Sequence, residues 1–318
     1  MVALILKTLI QWYQSLTKKN LFLKCYMKAI WVIENVKKDN SFYDEFKLVM
    51  LFASVSLWKK YHPEHTTILY CDEMTEKYLS NLNVFPLWDQ IKHLSYPEKI
   101  NREIFWSSCK TKIISEATEP IVVVDHDFLI FTNIDKYLKD EVLYTHEEQA
   151  YPWYPAKEDR YCARLTKPSP YELDLAANVS LFYLPDPSFA KMYGEWTLKN
   201  HEEFTVMDFD GMSPNYMIYS EQLMLKQLLV RDNIPHNTLT INVFDNNKAI
   251  FTNAVNMYGI WNSKESSLYY RHYGMDKKKL KENKDEIDYL YRCINASQKI
   301  NPKLLKEKIN ESYSRKLD

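Results

Sequence analysis

At residues 119–127 the chain reads EPIVVVDHD, and this short stretch decides the predicted fold. Consecutive branched apolar residues after a proline are typical of a strand that is buried on both faces, as in a parallel sheet. The strand ends in Asp125 and Asp127, which only His126 separates. Ligands of open α/β sheets bind beyond the carboxyl ends of the strands, so both carboxylates are expected at a ligand site.

Two carboxylates this close repel each other, and each loses solvation when it is buried. A cation is therefore the expected third partner. Oxygen ligands favour a hard ion such as magnesium, calcium or manganese. The alternative is structural, with both aspartates capping the turn that follows. An Asp-x-Asp pattern is common by chance, and its position directly after a buried strand is what favours a binding site.

Strand and helix patterns alternate along the first part of the chain. Strands are predicted at 28–33, 66–71, 91–94, 121–124, 128–131, 142–146, 176–184 and 269–274. Helices are predicted at 42–61, 73–82, 104–117, 187–199 and 219–230, the last with Ser220 as its N-cap. This alternation indicates an α/β fold, in which helices flank a mixed, mainly parallel sheet.

The chain of 318 residues is predicted to form one large domain with a helical extension at each end. The domain is expected at 27–275, after an amphipathic helix at 1–26 and before a lysine-rich helical tail at 276–318 that packs on it. The first helix is expected to pack on the domain as well, and the alternative is peripheral membrane contact through residues 1–24. No apolar run reaches the ~18 residues needed to span a bilayer, and the N-terminus is a poor signal peptide.

Composition argues against several classes of function. The net charge of -1 gives no electrostatic footprint for nucleic acid, so no nucleic-acid partner is expected. The chain has only 4 glycines and no Gly-rich phosphate loop, so a nucleotide would have to be bound through a metal and side chains. The 5 cysteines are scattered, which predicts reduced core residues in a cytoplasmic protein rather than disulfides or a zinc site.

Polar residues in three predicted elements are further candidates. Asn178 interrupts the start of an apolar strand, and a ligand hydroxyl is one possible partner for its amide. Lys110 lies on the helix that leads into the central strand, where a solvated helix face is the default expectation and contact with a diphosphate is the alternative. Glu221 and Gln222 lie in the first turn of a predicted helix, where the helix dipole also accounts for an acidic residue.

A late histidine completes the candidate set. His272 ends a short predicted strand, and Gly274, Lys277 and Lys278 follow it. A lone histidine is usually structural, but the basic cluster beside this one indicates an anion nearby.

Taken in chain order, the Asp-x-Asp, Asn178, the Glu221-Gln222 pair and His272 with its lysines resemble the motifs of the GT-A fold glycosyltransferases. The resemblance is greatest to the family 8-like enzymes. The resemblance covers roughly residues 28–279, as spaced motifs rather than a close match. In that family the Asp-x-Asp binds manganese and the donor diphosphate, and a late His-x-x-Gly-x-x-Lys motif supplies a third metal ligand and a lysine for phosphate. Here Gly274 stands two residues after His272 instead of three, which leaves the phosphate lysine open between Lys277 and Lys278.

The resemblance implies a role for each candidate residue. The expected ligands of Mn²⁺ or Mg²⁺ are Asp125, Asp127 and His272. The side chains expected at the donor diphosphate are Asp125, Asp127, Lys110, Lys277 and Lys278. The side chains expected to face the donor sugar and the acceptor, and so to be catalytic, are Asn178, Glu221 and Gln222.

The predicted function is that of a metal-dependent glycosyltransferase. It would move a sugar from a nucleotide-diphosphate sugar to a glycan, a lipid-linked or another hydroxyl acceptor, and the resemblance implies retention of the anomeric configuration. Surface polysaccharide synthesis, in the cytoplasm or at the inner membrane face, is the expected setting. The alternatives are a non-catalytic protein of this fold that binds sugar nucleotides or carbohydrate, and a nucleotidyltransferase, which the absence of glycine after the first strand disfavours.

Overall fold

The computed structural model describes residues 27–36, 43–149, 175–205, 213–240, 249–251, 269–273 and 277–314. Within these residues the chain forms an eight-stranded sheet and a separate two-stranded ladder. The predicted N-terminal helix at 1–26 lies outside the described residues. None of the described helices is long and apolar enough to cross a membrane.

The strands, in chain order, are β1 (Lys28–Ile33), β2 (Thr66–Cys71), β3 (Gln90–His93), β4 (Ile121–Val124), β5 (Phe128–Ile130), β6 (Val142–Gln149), β7 (Leu175–Leu184), β8 (His236–Thr240), β9 (Ala249–Phe251) and β10 (Tyr270–His272). The helices are α1 (Glu45–Tyr61), α2 (Glu73–Asn81), α3 (Ser108–Ser115), α4 (Pro187–Thr205), α5 (Ser213–Ile218), α6 (Met224–Arg231), α7 (Lys277–Leu280), α8 (Lys284–Ile294) and α9 (Pro302–Ser314). A π-helical turn at Tyr219–Leu223 joins α5 to α6.

The strand order in the large sheet is β3-β2-β1-β4-β7-β6-β8-β9. Strand β7 runs antiparallel to both of its neighbours, β4 and β6, and the other neighbouring pairs are parallel. The predicted α/β class with a mixed, mainly parallel sheet is thus confirmed. The short strands β5 and β10 pair antiparallel beside this sheet.

The central strand β4 is buried on both faces, as its run of branched residues predicts. Ile121 and Val123 pack into the core formed with α3, α4 and α6, whereas Val122 and Val124 pack into the core on the other face, formed with α1. Alternate residues of a strand point to opposite faces, so a fully apolar strand requires a helical layer on each side. This arrangement leaves the carboxyl end of β4, with Asp125, at the edge between the two layers.

The C-terminal helices α8 and α9 cover the α1 face of the sheet. Leu290 and Ile294 of α8 and Leu305 of α9 lie in the same buried cluster as Phe52 of α1. The Tyr291 hydroxyl adds a hydrogen bond of 2.9 Å to Glu45 at the start of α1. The apolar stripe of the lysine-rich tail therefore packs on the domain, and most of its charged side chains, Glu286 excepted, are exposed or partly exposed.

Two predicted helix starts are wrong, since the helix predicted from residue 104 begins only at Ser108. The helix predicted from residue 219 already begins at α5, so Ser220 is not an N-cap. Its hydroxyl instead donates a hydrogen bond of 2.7 Å to the Tyr216 carbonyl, one turn earlier in the same helix. A serine can bond to the preceding helical turn as readily as it can cap a helix, and the residue type alone does not separate the two roles.

Candidate functional site

A cavity of about 660 Å³ lies at the carboxyl end of β4 and collects the predicted site residues from distant parts of the chain. The predicted residues that line it are Lys110, Asp125, Asp127, Asn178, Glu221, Gln222, His272 and Lys277. Lys278 follows Lys277 in α7, but its side chain is outside the part of the chain that the structure describes. The cavity also lies where open α/β sheets bind ligands.

Lys110 lies between two carboxylates within this cavity. Its ammonium is 2.6 Å from Glu221 Oε1 and 3.2 Å from Asp125 Oδ1. Burial lowers the pKa of Lys110, but the two carboxylates outweigh burial, so the pKa is raised and the side chain stays charged. Burial likewise raises the pKa of Glu221, and Lys110 opposes that shift. The default expectation of a solvated Lys110 is wrong, because only 13% of its side chain is exposed.

Asp127 is buried beside two basic side chains. Lys277 Nζ lies 2.6 Å and His272 Nε2 3.6 Å from Asp127 Oδ2. Burial raises the pKa of Asp127, but Lys277 and His272 outweigh it and hold that pKa well below its ordinary value. Burial lowers the pKa of His272, and Asp127 in turn raises it above its usual value. The carboxylate is therefore ionised, with the ammonium of Lys277 and the imidazole of His272 beside it.

Strand pairing explains how His272 reaches this carboxylate from so late in the chain. In the antiparallel ladder His272 lies opposite Phe128, and the Tyr273 N–H donates to the Asp127 carbonyl at 3.1 Å. The two residues that flank His272 are held by one carboxylate of α8. Glu286 accepts from Arg271 at 2.8 and 3.2 Å and from the Tyr273 hydroxyl at 2.6 Å.

His126, between the two aspartates, also lines the cavity. Burial, and then the charge of Lys277, lower its pKa to about 4. The imidazole is therefore neutral near pH 7 and adds no positive charge beside the carboxylates.

Asn178 belongs to a buried polar network that was not predicted. Its amide donates to Glu148 Oε1 at 2.5 Å, and its carbonyl oxygen accepts from the Ser180 hydroxyl at 2.6 Å. His146 Nε2 lies 3.2 Å from the same Glu148 oxygen. Burial raises the pKa of Glu148, but His146 and Asn178 outweigh it, so this carboxylate is ionised. Ser180 stands two residues after Asn178 on the same strand, a spacing that places both on one face and could have identified it.

Glu221 and Gln222 lie in the π-helical turn, which sequence reasoning also missed. Two side chains of α4 bond to backbone carbonyls of this turn. The Tyr193 hydroxyl donates to the Glu221 carbonyl at 2.9 Å, and the Thr197 hydroxyl donates to the Ser220 carbonyl at 3.3 Å. Single π turns within α-helices are rare and are frequent at functional sites. The turn presents the Glu221 carboxylate to Lys110.

The other end of the cavity lies at the carboxyl end of β1. Glu34 pairs there with Arg102 and accepts from the Cys109 thiol at 3.1 Å. Burial raises the pKa of Glu34, and the contacts with Cys109 and Arg102 oppose this. The cavity thus has acidic groups at both ends, each already paired with a basic side chain.

A hard cation would suit the donor atoms at Asp127. Among the described residues no three His, Cys, Asp or Glu side chains form a complete metal-ligand cluster. However, Asp127 and His272 lie close enough to share one ion, and Asp125 lines the same cavity. His272 Nδ1 is also buried with no hydrogen-bond partner in the described parts of the chain. The chemistry of Asp125, Asp127 and His272 therefore fits an ion that takes further oxygen ligands from a substrate.

Neither a search of protein-family models nor a search of curated proteins finds a match to this chain.

Proposed function

We propose that this protein is a metal-dependent glycosyltransferase that uses a nucleotide-diphosphate sugar as donor and a glycan, a lipid-linked or another hydroxyl compound as acceptor. The observation that carries the proposal is the single cavity at the end of β4. Residues from two strands, the turn between β4 and β5, two helices and a π turn contribute to it the carboxylates, the imidazole, the amide and the lysines that such a reaction needs. Retention of the anomeric configuration and a role in surface polysaccharide synthesis belong to the proposal through the family resemblance alone.

Mn²⁺ or Mg²⁺ is the cofactor in this proposal, held by Asp125, Asp127 and His272. When bound, such an ion neutralises negative charge that grows on the departing nucleoside diphosphate. Lys277, already beside Asp127, is placed to donate to a phosphate oxygen.

Lys110, Asn178 and Glu221 bind and orient the two substrates in this proposal. Glu221 is held by Lys110 and by the π turn, so its carboxylate can accept a hydrogen bond from a sugar hydroxyl without moving. Asn178 is held by Glu148 and Ser180 in the same way. Fixed groups of this kind accelerate a reaction mainly by placing the reactants. A reducing compartment such as the cytoplasm fits the proposal, because Cys71, Cys109 and Cys293 are buried free thiols.

The test is hydrolysis and transfer of a panel of sugar nucleotides with manganese and with a chelator. We expect turnover with manganese, loss of turnover in the chelator, and a fall of at least about a hundredfold in Asp127→Asn, which corresponds to about 3 kcal/mol of transition-state stabilisation. The matched control is Asp288→Asn, which removes a surface ion pair with Lys306 and should leave the rate unchanged.

Full activity in the chelator or in Asp127→Asn would refute the metal-dependent mechanism. Thermal stabilisation by one sugar nucleotide without turnover of any acceptor would instead favour the non-catalytic alternative, because a ligand that binds the folded state raises stability whether or not it reacts.

A further inference from the structure

Exposed large apolar side chains concentrate at the mouth of the site. Among the described residues they are Met74, Tyr96, Trp106 and Leu304. Trp106 lines the site cavity, and Met74 and Tyr96 line a neighbouring cavity of about 610 Å³ that shares Glu34 and Arg102 with it. Only Leu304, on α9, lies away from both cavities. Exposed aromatic groups gathered at a concave surface indicate a binding surface.

Trp106 differs from the other tryptophans that the structure describes. Trp31 and Trp58 pack edge to face, Trp88 packs against Phe52, and the Arg231 guanidinium lies over Trp196. The Trp106 indole makes no hydrogen bond, ring contact or cation–π contact with any part of the chain that the structure describes, and 49% of the residue is exposed. Its ring is therefore available to a ligand.

Trp106 lies on the solvent side of the charged groups in the cavity. It stands four residues before Lys110, which contacts both Asp125 and Glu221 inside the cavity. Glu221 and Asp127 are almost fully buried, whereas Trp106 is half exposed, so the indole lies toward solvent relative to them. Met217 of α5 and Glu103 line the same cavity, so its wall also contains an apolar and a charged side chain.

We infer that Trp106 is the platform on which the acceptor binds, and that the acceptor is a saccharide with a pyranose ring at this position. The inference rests on the proposed function and specifies its acceptor. The C–H groups of a pyranose carry partial positive charge and pack on the negative face of an aromatic ring. Hydroxyl groups of the same sugar can form hydrogen bonds with polar side chains that line the cavity, and Glu103 is one of these. A tryptophan has few rotatable bonds and loses little conformational entropy when it binds.

The position of Trp106 favours the acceptor over the donor. The donor diphosphate belongs with Lys277 and Asp127, which lie at the ladder of β5 and β10 in the interior of the cavity. A second substrate has to approach from the open side once the interior is filled. The half-exposed indole at the mouth is therefore placed to bind the second substrate.

Binding can be measured without any turnover. In protein labelled with ¹⁵N at tryptophan, the indole N–H signal of Trp106 is the one that disappears in Trp106→Phe. We expect methyl glucoside, methyl galactoside or lactose to shift this signal in a saturable manner. We expect Trp106→Ala to weaken saccharide binding about tenfold and Trp106→Phe to weaken it less, since an aromatic face remains. Leu304→Ala, an exposed apolar side chain elsewhere, should bind saccharide as the unaltered protein does.

Turnover supplies a second readout. Hydrolysis of the donor needs no acceptor, so in Trp106→Ala the ratio of transfer to hydrolysis should fall about tenfold through a raised KM for the saccharide. If no sugar nucleotide is turned over but the saccharides still shift the Trp106 signal, the proposed transferase fails while the saccharide site stands.

Two results would overturn the inference. One is that none of the three saccharides shifts the Trp106 signal. The other is that Trp106→Ala weakens the binding of uridine diphosphate and leaves saccharide binding unchanged, which would make the indole a platform for a nucleobase.

Discussion

Lys110 joins two carboxylates that come from different elements. Asp125 follows β4 and Glu221 belongs to the π turn, and without a cation between them the two acidic groups would repel each other in a buried cavity. Lys112, two residues later on the same helix, instead pairs with Glu116 at the surface, where 32% of the lysine side chain is exposed. Lys110 and Lys112 therefore allow a buried and a surface ion pair on the same helix to be compared.

We predict that Lys110→Met destabilises the protein by about 3–5 kcal/mol, because it leaves the buried carboxylate of Glu221 and the partly exposed carboxylate of Asp125 without the cation between them. The measurement is urea denaturation at pH 7. Lys112→Met removes a surface pair and should change the unfolding free energy by less than about 1 kcal/mol. Equal losses in the two variants would show that the buried triad does not stabilise the fold.

The identity of the site residues was easier to predict from the sequence than the direction in which each side chain points. The residue types at the site were predictable, since carboxylates, an amide and a histidine stand at strand ends. The sequence did not predict which lysine of α3 points into the cavity. Residues two apart on a helix point in different directions, and tertiary packing sets the orientation of the helix. The network of Asn178 with Glu148 depends on strand pairing, which a single sequence does not specify.

At the scale of elements, β10 is only three residues long and carries His272, a central residue of the candidate site. It is held by β5 on one side and by the carboxylate of Glu286 in α8 on the other. The C-terminal helices therefore do more than cover the sheet, since α8 fixes the residues on either side of His272.

We predict that Glu286→Gln weakens manganese binding together with stability. The neutral amide cannot satisfy the buried Arg271, so we expect a loss of about 3 kcal/mol in stability and a clear rise in the manganese dissociation constant. Calorimetric titration well below the melting temperature separates the two effects. The control is Glu282→Gln, an exposed residue in the turn before α8. A stable fold with unchanged manganese affinity would contradict the role of Glu286.

Most elements were predictable from local pattern, and the exceptions have a physical cause. Strands β1 and β2 match the prediction because their apolar residues are bounded by clear turn signals. The helix around Glu221 was predicted to start too late, because a π turn shifts the apolar spacing away from the ordinary helical period. The order of β6, β7 and β8 in the sheet depends on contacts between distant segments and was not predictable from local pattern.

At the scale of the whole molecule, buried histidines make the fold sensitive to acid. His201 is fully buried against Phe105, and neither ring nitrogen has a hydrogen-bond partner in the described residues. Burial lowers its pKa from 6.5 to about 3. Burial, and then the charge of His65, lower the pKa of His62 to about 4. Both side chains are therefore neutral in the folded protein at pH 5, where the unfolded chain would protonate them.

We predict that the unfolding free energy falls as the pH is lowered from 6.5 to 4. The unfolded chain binds more protons than the folded chain in this range, so acid favours unfolding, and His201 alone accounts for about 3 kcal/mol. In His201→Leu this part of the pH dependence should disappear. The comparison at pH 8, where the histidine is neutral in both states, isolates the effect of the substitution on packing. An unchanged slope between pH 6.5 and 4 would show that His201 does not contribute.

The ladder of β5 and β10 has a consequence for the order in which the molecule is built. Asp125 and Asp127 are synthesised long before His272, Lys277 and Glu286, and chains fold as they emerge from the ribosome. The sheet around β4 can begin to form while its acidic pair still lacks the cations from the end of the chain. Closing so long a connection carries an entropic cost, which the pairing of β10 with β5 and the docking of α8 help to offset. The cavity at the end of β4 is therefore among the last parts of the protein to be completed, and incomplete chains carry the aspartates without His272 and Lys277 beside them.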